Sequence, residues 1–319
     1  MIGDPLRAIA RHGRLVLVGG LVAGIVFPGP ASHLAPWIEP MVALHMFIAA
    51  LRIGLPAAWT PRALLPRYLG LTVALQTGMP LAALALLWSL GWHDSVVGIG
   101  VVLALAGAPI VGAPGLAILA GADPAPALRQ LVLGSALLPL TALPLFWFLP
   151  VFGEPSETLA AAGRLLALIA VSGGLGFWLR ARLPALDRPQ TMQALDGVMA
   201  LAMAVLVIGL VSGLGPAIWS GQLAVWWIIA LVTVLNFGSQ LVVWAGARRG
   251  GAAGQAAPLG IVAGNRNMAL FLGALPPELA ADIMVFLGAY QVPMFLTPLV
   301  MIRLYRAVPT PAGGSGPAP

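Results

Sequence analysis

Runs of about 20 apolar residues, the length a helix needs to cross a ~30 Å hydrocarbon core, recur ten times in this chain and leave it few ways to fold. They cover approximately 14 to 28, 37 to 56, 67 to 91, 96 to 120, 127 to 151, 159 to 180, 193 to 215, 222 to 246, 257 to 275 and 279 to 303. Hydrophobic residues are 60% of the 319 and charged ones 8%, far from the soluble mix of about half apolar and a quarter charged. In hydrocarbon every backbone polar group must be satisfied internally, so apolar runs of this length are helices. The expectation is an all-α, multi-pass protein whose first partner is the lipid bilayer. The first run is short and ends at Phe27-Pro28-Gly29-Pro30, which a helix cannot continue through. The arginines of Met1 to Arg14 imitate a signal peptide's charged region, but no convincing cleavage site follows, and the run reads as a first span.

Orientation follows from the arginines, because cytoplasmic loops collect positive charge. All 16 basic residues are Arg, against 10 acidic ones. With the amino terminus inside, Arg7, Arg11, Arg14, Arg52, Arg62, Arg67, Arg129, Arg180, Arg182, Arg188, Arg248, Arg249, Arg303 and Arg306 fall inside and Arg164 outside. Asp94, Glu154, Glu157, Glu278 and Asp282 fall outside. This sorting predicts an even number of spans, both termini cytoplasmic, in a bacterial inner membrane. The positive charge is spread over short loops rather than massed on one face, which excludes a nucleic-acid partner. There is no Cys, hence no disulfide framework, thiol nucleophile or thiolate metal site.

Ten spans divide into two fives, 1–152 and 153–306, followed by a Pro/Gly/Ala-rich tail, 307–319, read as disordered. An odd number per half makes the second copy enter from the opposite side, the inverted repeat of many secondary transporters. Two observations fit. Gly54-Leu55-Pro56-Ala57-Ala58-Trp59 follows the second span and Leu214-Gly215-Pro216-Ala217-Ile218-Trp219 the seventh. Spans four and nine are both interrupted, by Ala108-Pro109-Ile110-Val111-Gly112-Ala113-Pro114-Gly115 and by Gly264-Asn265-Arg266-Asn267. Broken helices persist at membrane depth only inside protein or beside a watery cavity. Arg266 is the one arginine with no route to water, and a charge there costs at least ~2.5 kcal/mol, so it marks a pathway or a site.

These residues carry a resemblance. Met46-Phe47-Ile48-Ala49-Ala50-Leu51, Gln76-Thr77-Gly78-Met79-Pro80, Leu119-Ala120-Gly121-Ala122-Asp123 and Gly264-Asn265-Arg266-Asn267-Met268-Ala269-Leu270 resemble, in order and spacing, motifs of the bile acid:sodium symporter family. The resemblance implies ten spans in two inverted five-helix repeats, a panel domain, and a core domain whose fourth and ninth helices unwind and cross. It also implies transport of a small organic anion. The departures matter as much. Where sodium-coupled members have a Glu this chain has Val262, where they have Gln it has Arg266, and their Ser-Asn pair falls near Ala113, Pro114 and Gly115. A hard cation needs several oxygen ligands, so the usual sodium sites look dismantled, and Gly264, Asn267 and Gln76 are what carries over.

Two roles for Arg266 follow. Its guanidinium takes the place of a bound sodium ion, making transport sodium-independent, or it grips an anionic substrate bidentately. Asn265, Asn267, Pro109, Pro114 and Gly115 belong to the two breaks, and Gln76, Asn236 and Gln240 are expected to line the cavity. Other buried amides and hydroxyls, including Gln291 and Thr297, read as interhelical glue. His45 reads as a satisfied buried histidine, with a proton relay as the alternative because free imidazole titrates at ~6.5. Asp196 is the deepest carboxylate. The rivals are a sodium-coupled symporter with non-standard sites, a channel, and an intramembrane enzyme; the last lacks any nucleophile–base or metal-ligand cluster. No cofactor is expected beyond the open question of sodium.

Overall fold

The computed structural model describes residues 3–152 and 154–307. The expected tail, from 308 on, lies outside them. The chain is 85% helical and follows the order α1 (Gly3–Arg11), α2 (Gly13–Val26), α3 (Pro28–Leu34), α4 (Ile38–Ala58), α5 (Leu65–Val73), α6 (Met79–Ser89), α7 (Val96–Ala106), β1 (Ala108–Pro109), α8 (Ala113–Leu119), α9 (Ala125–Phe148) and α10 (Pro155–Arg182). Then come α11 (Pro189–Leu210), α12 (Leu214–Trp219), α13 (Leu223–Arg249), α14 (Ala256–Gly264), β2 (Arg266–Asn267), a 3₁₀ segment (Met268–Ala274), α15 (Pro277–Asp282) and α16 (Met284–Ala307). Among the described residues seven helices are long and apolar enough to cross a membrane, and an eighth is counted if the bent pair Pro5–Arg11 and Leu15–Val26 forms one span. Apolar side chains such as Leu140, Val171, Leu223, Val234 and Val242 stand exposed, as lipid-facing positions do and soluble surfaces rarely do. This is an integral, multi-pass, all-α membrane protein.

The fourth and ninth apolar runs are not continuous helices, and each break has a local cause. Pro109 lacks an N–H and disfavours helical backbone at the residue before it. Accordingly α7 stops at Gly107, whose ψ is 150°, and the chain resumes at α8. The second break contains no proline. There the polar side chains end the helix by bonding its last turn: Asn265 Nδ2 donates to the Ile261 carbonyl at 2.9 Å and Arg266 Nε to the Ala263 carbonyl at 2.9 Å. The two breaks meet as a two-stranded antiparallel ladder pairing Ala108 with Asn267 and Pro109 with Arg266, extended by a bond from Ile110 N to Asn265 O at 3.0 Å.

Small residues set how closely the elements around this crossing approach. Gly260 and Gly264 lie four apart on α14, and a Cβ on Gly264 would fall 2.2 Å from the Asn236 carbonyl oxygen of α13. Close backbone contact through small residues spaced by four is a common membrane-helix interface. In the third apolar run, Ala74–Gly78 makes a π-turn between α5 and α6. Pro80 cannot donate to the carbonyl four residues back, which removes the bond that would hold an α-helical turn there. Within α4, Gly54 takes φ 70° and ψ 156°, a conformation that favours glycine and kinks the helix before Pro56.

Arg164, the one arginine expected outside, lies on α10 and ends the 3₁₀ segment. Its Nε and Nη2 donate to the carbonyls of Gly273 and Ala274, each at 3.0 Å. Arg164→Ala frees both carbonyls and is expected to lower the thermal midpoint of the detergent-solubilised protein by a few degrees; Arg164→Lys, with one donor head in place of a fork, recovers only part.

Candidate functional site

Everything expected of Gly264, Asn265, Arg266 and Asn267 depends on how the last turn of α14 is terminated. A helix leaves its final carbonyls without partners and carries a partial negative charge there. In α14 the carbonyls of Ile261, Ala263 and Gly264 are taken up, the first by the backbone N–H and side-chain amide of Asn265. Gly264 O accepts from Asn236 Nδ2 and from the Tyr290 hydroxyl, both at 2.6 Å, and Ala263 O accepts from Arg266. Arg266 Nη1 also donates to Gly107 O, at 3.0 Å, at the end of α7. One guanidinium, 2% exposed, therefore bonds to the carboxyl-terminal ends of both interrupted helices, with their negative poles standing in for a carboxylate.

Behind the crossing, on the side of α13 and α16, lies a closed polar network. Gln240 Nε2 donates to Asn236 Oδ1 at 2.7 Å and to Thr297 Oγ1 at 3.1 Å, while Gln240 Oε1 accepts from the Tyr305 hydroxyl at 3.0 Å. Thr297 Oγ1 lies 3.1 Å from both Asn265 Oδ1 and the Pro293 carbonyl, and donates to one of them. Tyr290, Thr297 and Tyr305 recur at intervals of 7 and 8 on α16, two turns each, so they share one face. Asn236 and Gln240, both buried, thus hold the break in shape from behind.

Gln76 is also committed within the protein. Its Nε2 donates to Gly134 O at 3.1 Å and its Oε1 accepts from Thr141 Oγ1 at 2.9 Å. Gly134 leaves room for it: a Cβ there would meet both Gln76 Nε2 at 2.8 Å and Pro109 Cδ at 2.9 Å. So Gln76 and Pro109 pack on one glycine of α9, and the amide supports the strand pair from below. Pro114 is half-buried and Gly115 exposed, in the first turn of α8.

In front of the crossing a cleft is walled by α4, α11 and α16. Its lining includes His45, Met203, Leu210, Arg266, Asn267 and Gln291. Arg266 Nη2, Gln291 Oε1 and both ring nitrogens of His45 are buried there without a hydrogen-bond partner in the protein. His45 is 4% and Gln291 3% exposed. Gln291 Nε2 donates to Leu287 O at 3.1 Å, which leaves Oε1 as the unpartnered end of a residue that lines the cleft. His45 is therefore not a satisfied histidine: no protein group bonds it. Buried polar groups without partners are uncommon and call for an explanation. Three, from three elements, share one cleft of about 20 Å³, about the space one water needs. Sequence reasoning placed Arg266 and Asn267 here, kept His45 as a proton relay only in second place, and read Gln291 as interhelical glue.

Next to the cleft, and touching it at Val111, lies an apolar chamber of about 320 Å³ between α4, α9 and α10. Met46, Ile53, Leu166, Ile169 and Phe177 line it, and its one buried unpartnered polar atom among the described residues is Ser135 Oγ. The expected deepest carboxylate, Asp196, is paired with Arg52 across α4 and α11, both partly exposed. Compared with protein-family models and with curated proteins, the chain matches none.

Proposed function

We propose that this protein is a secondary transporter of an organic anion, working by alternating access. The observation that carries the reading is the crossing: two apolar runs, 96–119 and 256–274, each broken halfway, meet at their breaks, and a fixed cation sits on both helix ends beside a cleft. A buried crossing of broken helices is an expensive arrangement in lipid, and transporters use it to form midplane sites. The fold is read as ten spans in two inverted repeats, 1–152 and 153–306. The recurrence of a Pro and a Trp three apart, at Pro56 and Trp59 and again at Pro216 and Trp219, supports that division. Packing supports two bodies: α4 and α11 pack with α10 and α2, as a panel, while α13 packs with α14 and α16, as a core. The cleft lies where these bodies meet.

Within that reading Arg266 serves as a tethered cation, in the place a sodium ion takes in the bile acid:sodium symporters that the sequence resembles. The Gly107 and Ala263 carbonyls that the guanidinium engages are the type of ligand a hard cation takes, and Val262, Ala113, Pro114 and Gly115 offer no side-chain oxygen. Nε and Nη1 do the structural work, which leaves Nη2 to meet an anion in the cleft. Uptake of an organic anion into proteoliposomes is then expected to be unchanged when choline replaces sodium. Strong stimulation by sodium would reject the tethered cation.

A further inference from the structure

A transporter that accumulates an anion without sodium needs another source of driving force, and the cleft contains a group able to supply one. Among the described residues no carboxylate is buried. Imidazole is the one side chain whose ordinary titration falls between pH 5 and 8, and His45 is the buried imidazole, on α4, with both nitrogens free of protein partners. The groups facing it are few. From α11 come Met203, Leu206 and Leu210; from the first break Ile110 and Val111; from the second Arg266, Asn267 and Met268; from α16 Gln291 and Met294. Arg266 is the only charge among them. Elsewhere on the elements that pack against α4, charged side chains lie towards the ends: Glu39 and the Arg52–Asp196 pair, Arg188 on the lead into α11, Glu157, Arg164, Arg180 and Arg182 on α10, and Arg129 on α9.

We propose that His45 is a proton-exchange site coupled to anion binding, so that the protein carries one proton with each anion. The proposal rests on the transporter reading and names its driving ion. In the empty cleft a protonated His45 would set a second positive charge against Arg266 with no counter-ion, which Coulomb's law opposes most where water is excluded. An anion held by Arg266 Nη2 removes that opposition and becomes the counter-ion of both. Anion and proton therefore each favour the other's binding, by the same factor in both directions.

The sequence of events balances. An imidazole nitrogen takes a proton from water on the more acidic side as the anion enters, and returns it to water on the opposite side as the anion leaves. The net charge moved is zero, and Arg266 keeps its own charge throughout. In the state described, the cleft has room for about one water, 20 Å³. An anion enters only when α4 and α11 draw away from the crossing, and since His45 rides on α4 the same movement wets it. Gln291 Oε1, an acceptor, then faces an N–H of the imidazolium or a hydroxyl of the ligand.

The test uses the full chain in proteoliposomes, with radiolabelled pyruvate and cholate as a compact and a bulky anion. Counterflow at equal pH reports whether carriers are folded and binding; accumulation under a pH gradient reports coupling. For the wild type, a gradient of about one unit is expected to drive accumulation of up to about tenfold, the limit for one proton per anion, with no response to membrane potential. His45→Gln and His45→Asn are expected to lose accumulation and to show counterflow only at higher anion concentration and without pH dependence, because a neutral amide no longer shares the anion's charge with Arg266. Wild-type counterflow without gradient-driven accumulation, or accumulation that survives in His45→Gln, would overturn the proposal while leaving the transporter reading intact. No counterflow by the wild type with either anion would overturn both.

Discussion

Arg266→Gln is expected to unfold or badly loosen the crossing, and sodium is expected to repair part of the damage. The guanidinium donates to Gly107 O and Ala263 O, at 3.0 and 2.9 Å, from the middle of the protein. Losing it leaves two buried carbonyls without donors, at about 1–3 kcal/mol each. It also leaves two helix carboxyl termini, each equivalent to roughly half a negative charge, facing one another with no cation between them. Relief from burying a charge works in the opposite direction. The carbonyls prevail, because no carboxylate was paired with this arginine and the poles it neutralised remain. A Gln amide reaches one carbonyl, not both. Sodium, admitted to the vacated space, engages the same oxygens, and at about 100 times its Kd mass action restores ~2.7 kcal/mol. The measurement is a thermal-unfolding series in detergent, with sodium against choline. The wild type is expected to ignore the exchange, and the variant to gain stability with sodium alone. A variant as stable as the wild type in choline would show that the guanidinium does not hold the crossing.

Gly264→Ala is expected to be still more damaging, though it adds one methyl group. That methyl would lie 2.2 Å from the Asn236 carbonyl oxygen and 2.4 Å from Gln240 Cγ, both on α13, where neither backbone nor network can yield. α14 must withdraw, which breaks the bond from Asn236 Nδ2 to Gly264 O and shifts the last turn that Arg266 engages. Overpacking costs typically 1–3 kcal/mol and occasionally more; here the hydrogen-bond loss adds to it, against at most about 1 kcal/mol gained in helix propensity. The expected readout is loss of the monodisperse peak on size exclusion. Gly115→Ala is the control. Nothing lies within 4 Å of a Cβ at Gly115, so that variant is expected to behave as the wild type; the residue, expected in the other break, lies in the first turn of the helix that follows it.

Much of this was legible along the chain. Of the ten apolar runs expected, seven form helices long and apolar enough to cross a membrane, because lipid demands a fixed length and an internally bonded backbone; the first is sharply bent and the fourth and ninth are broken. The break at Pro109 was readable from a missing donor, and the one at Arg266 from a charge with no route to water. The Gly260–Gly264 spacing, which governs how close α13 and α14 come, is equally present in the sequence. What could not be read was the division of labour among buried polar residues. Asn236, Gln240 and Gln76 were expected at the cavity and instead bond inside the protein. His45 and Gln291, expected as a satisfied histidine and as glue, face the cleft without partners. One residue type at one depth serves either purpose, and the difference lies wholly in what stands opposite.

The order of residues by itself therefore determined that this chain lives in a membrane, where its helices run and where two of them must stop, since those follow from local periodicity, hydropathy and missing donors. Only the tertiary structure decided that the two stops meet, that one guanidinium caps both helix ends, and that a histidine from a third helix shares its cleft. Those facts depend on residues 159 positions apart at the crossing and 221 apart across the cleft, which no local pattern encodes.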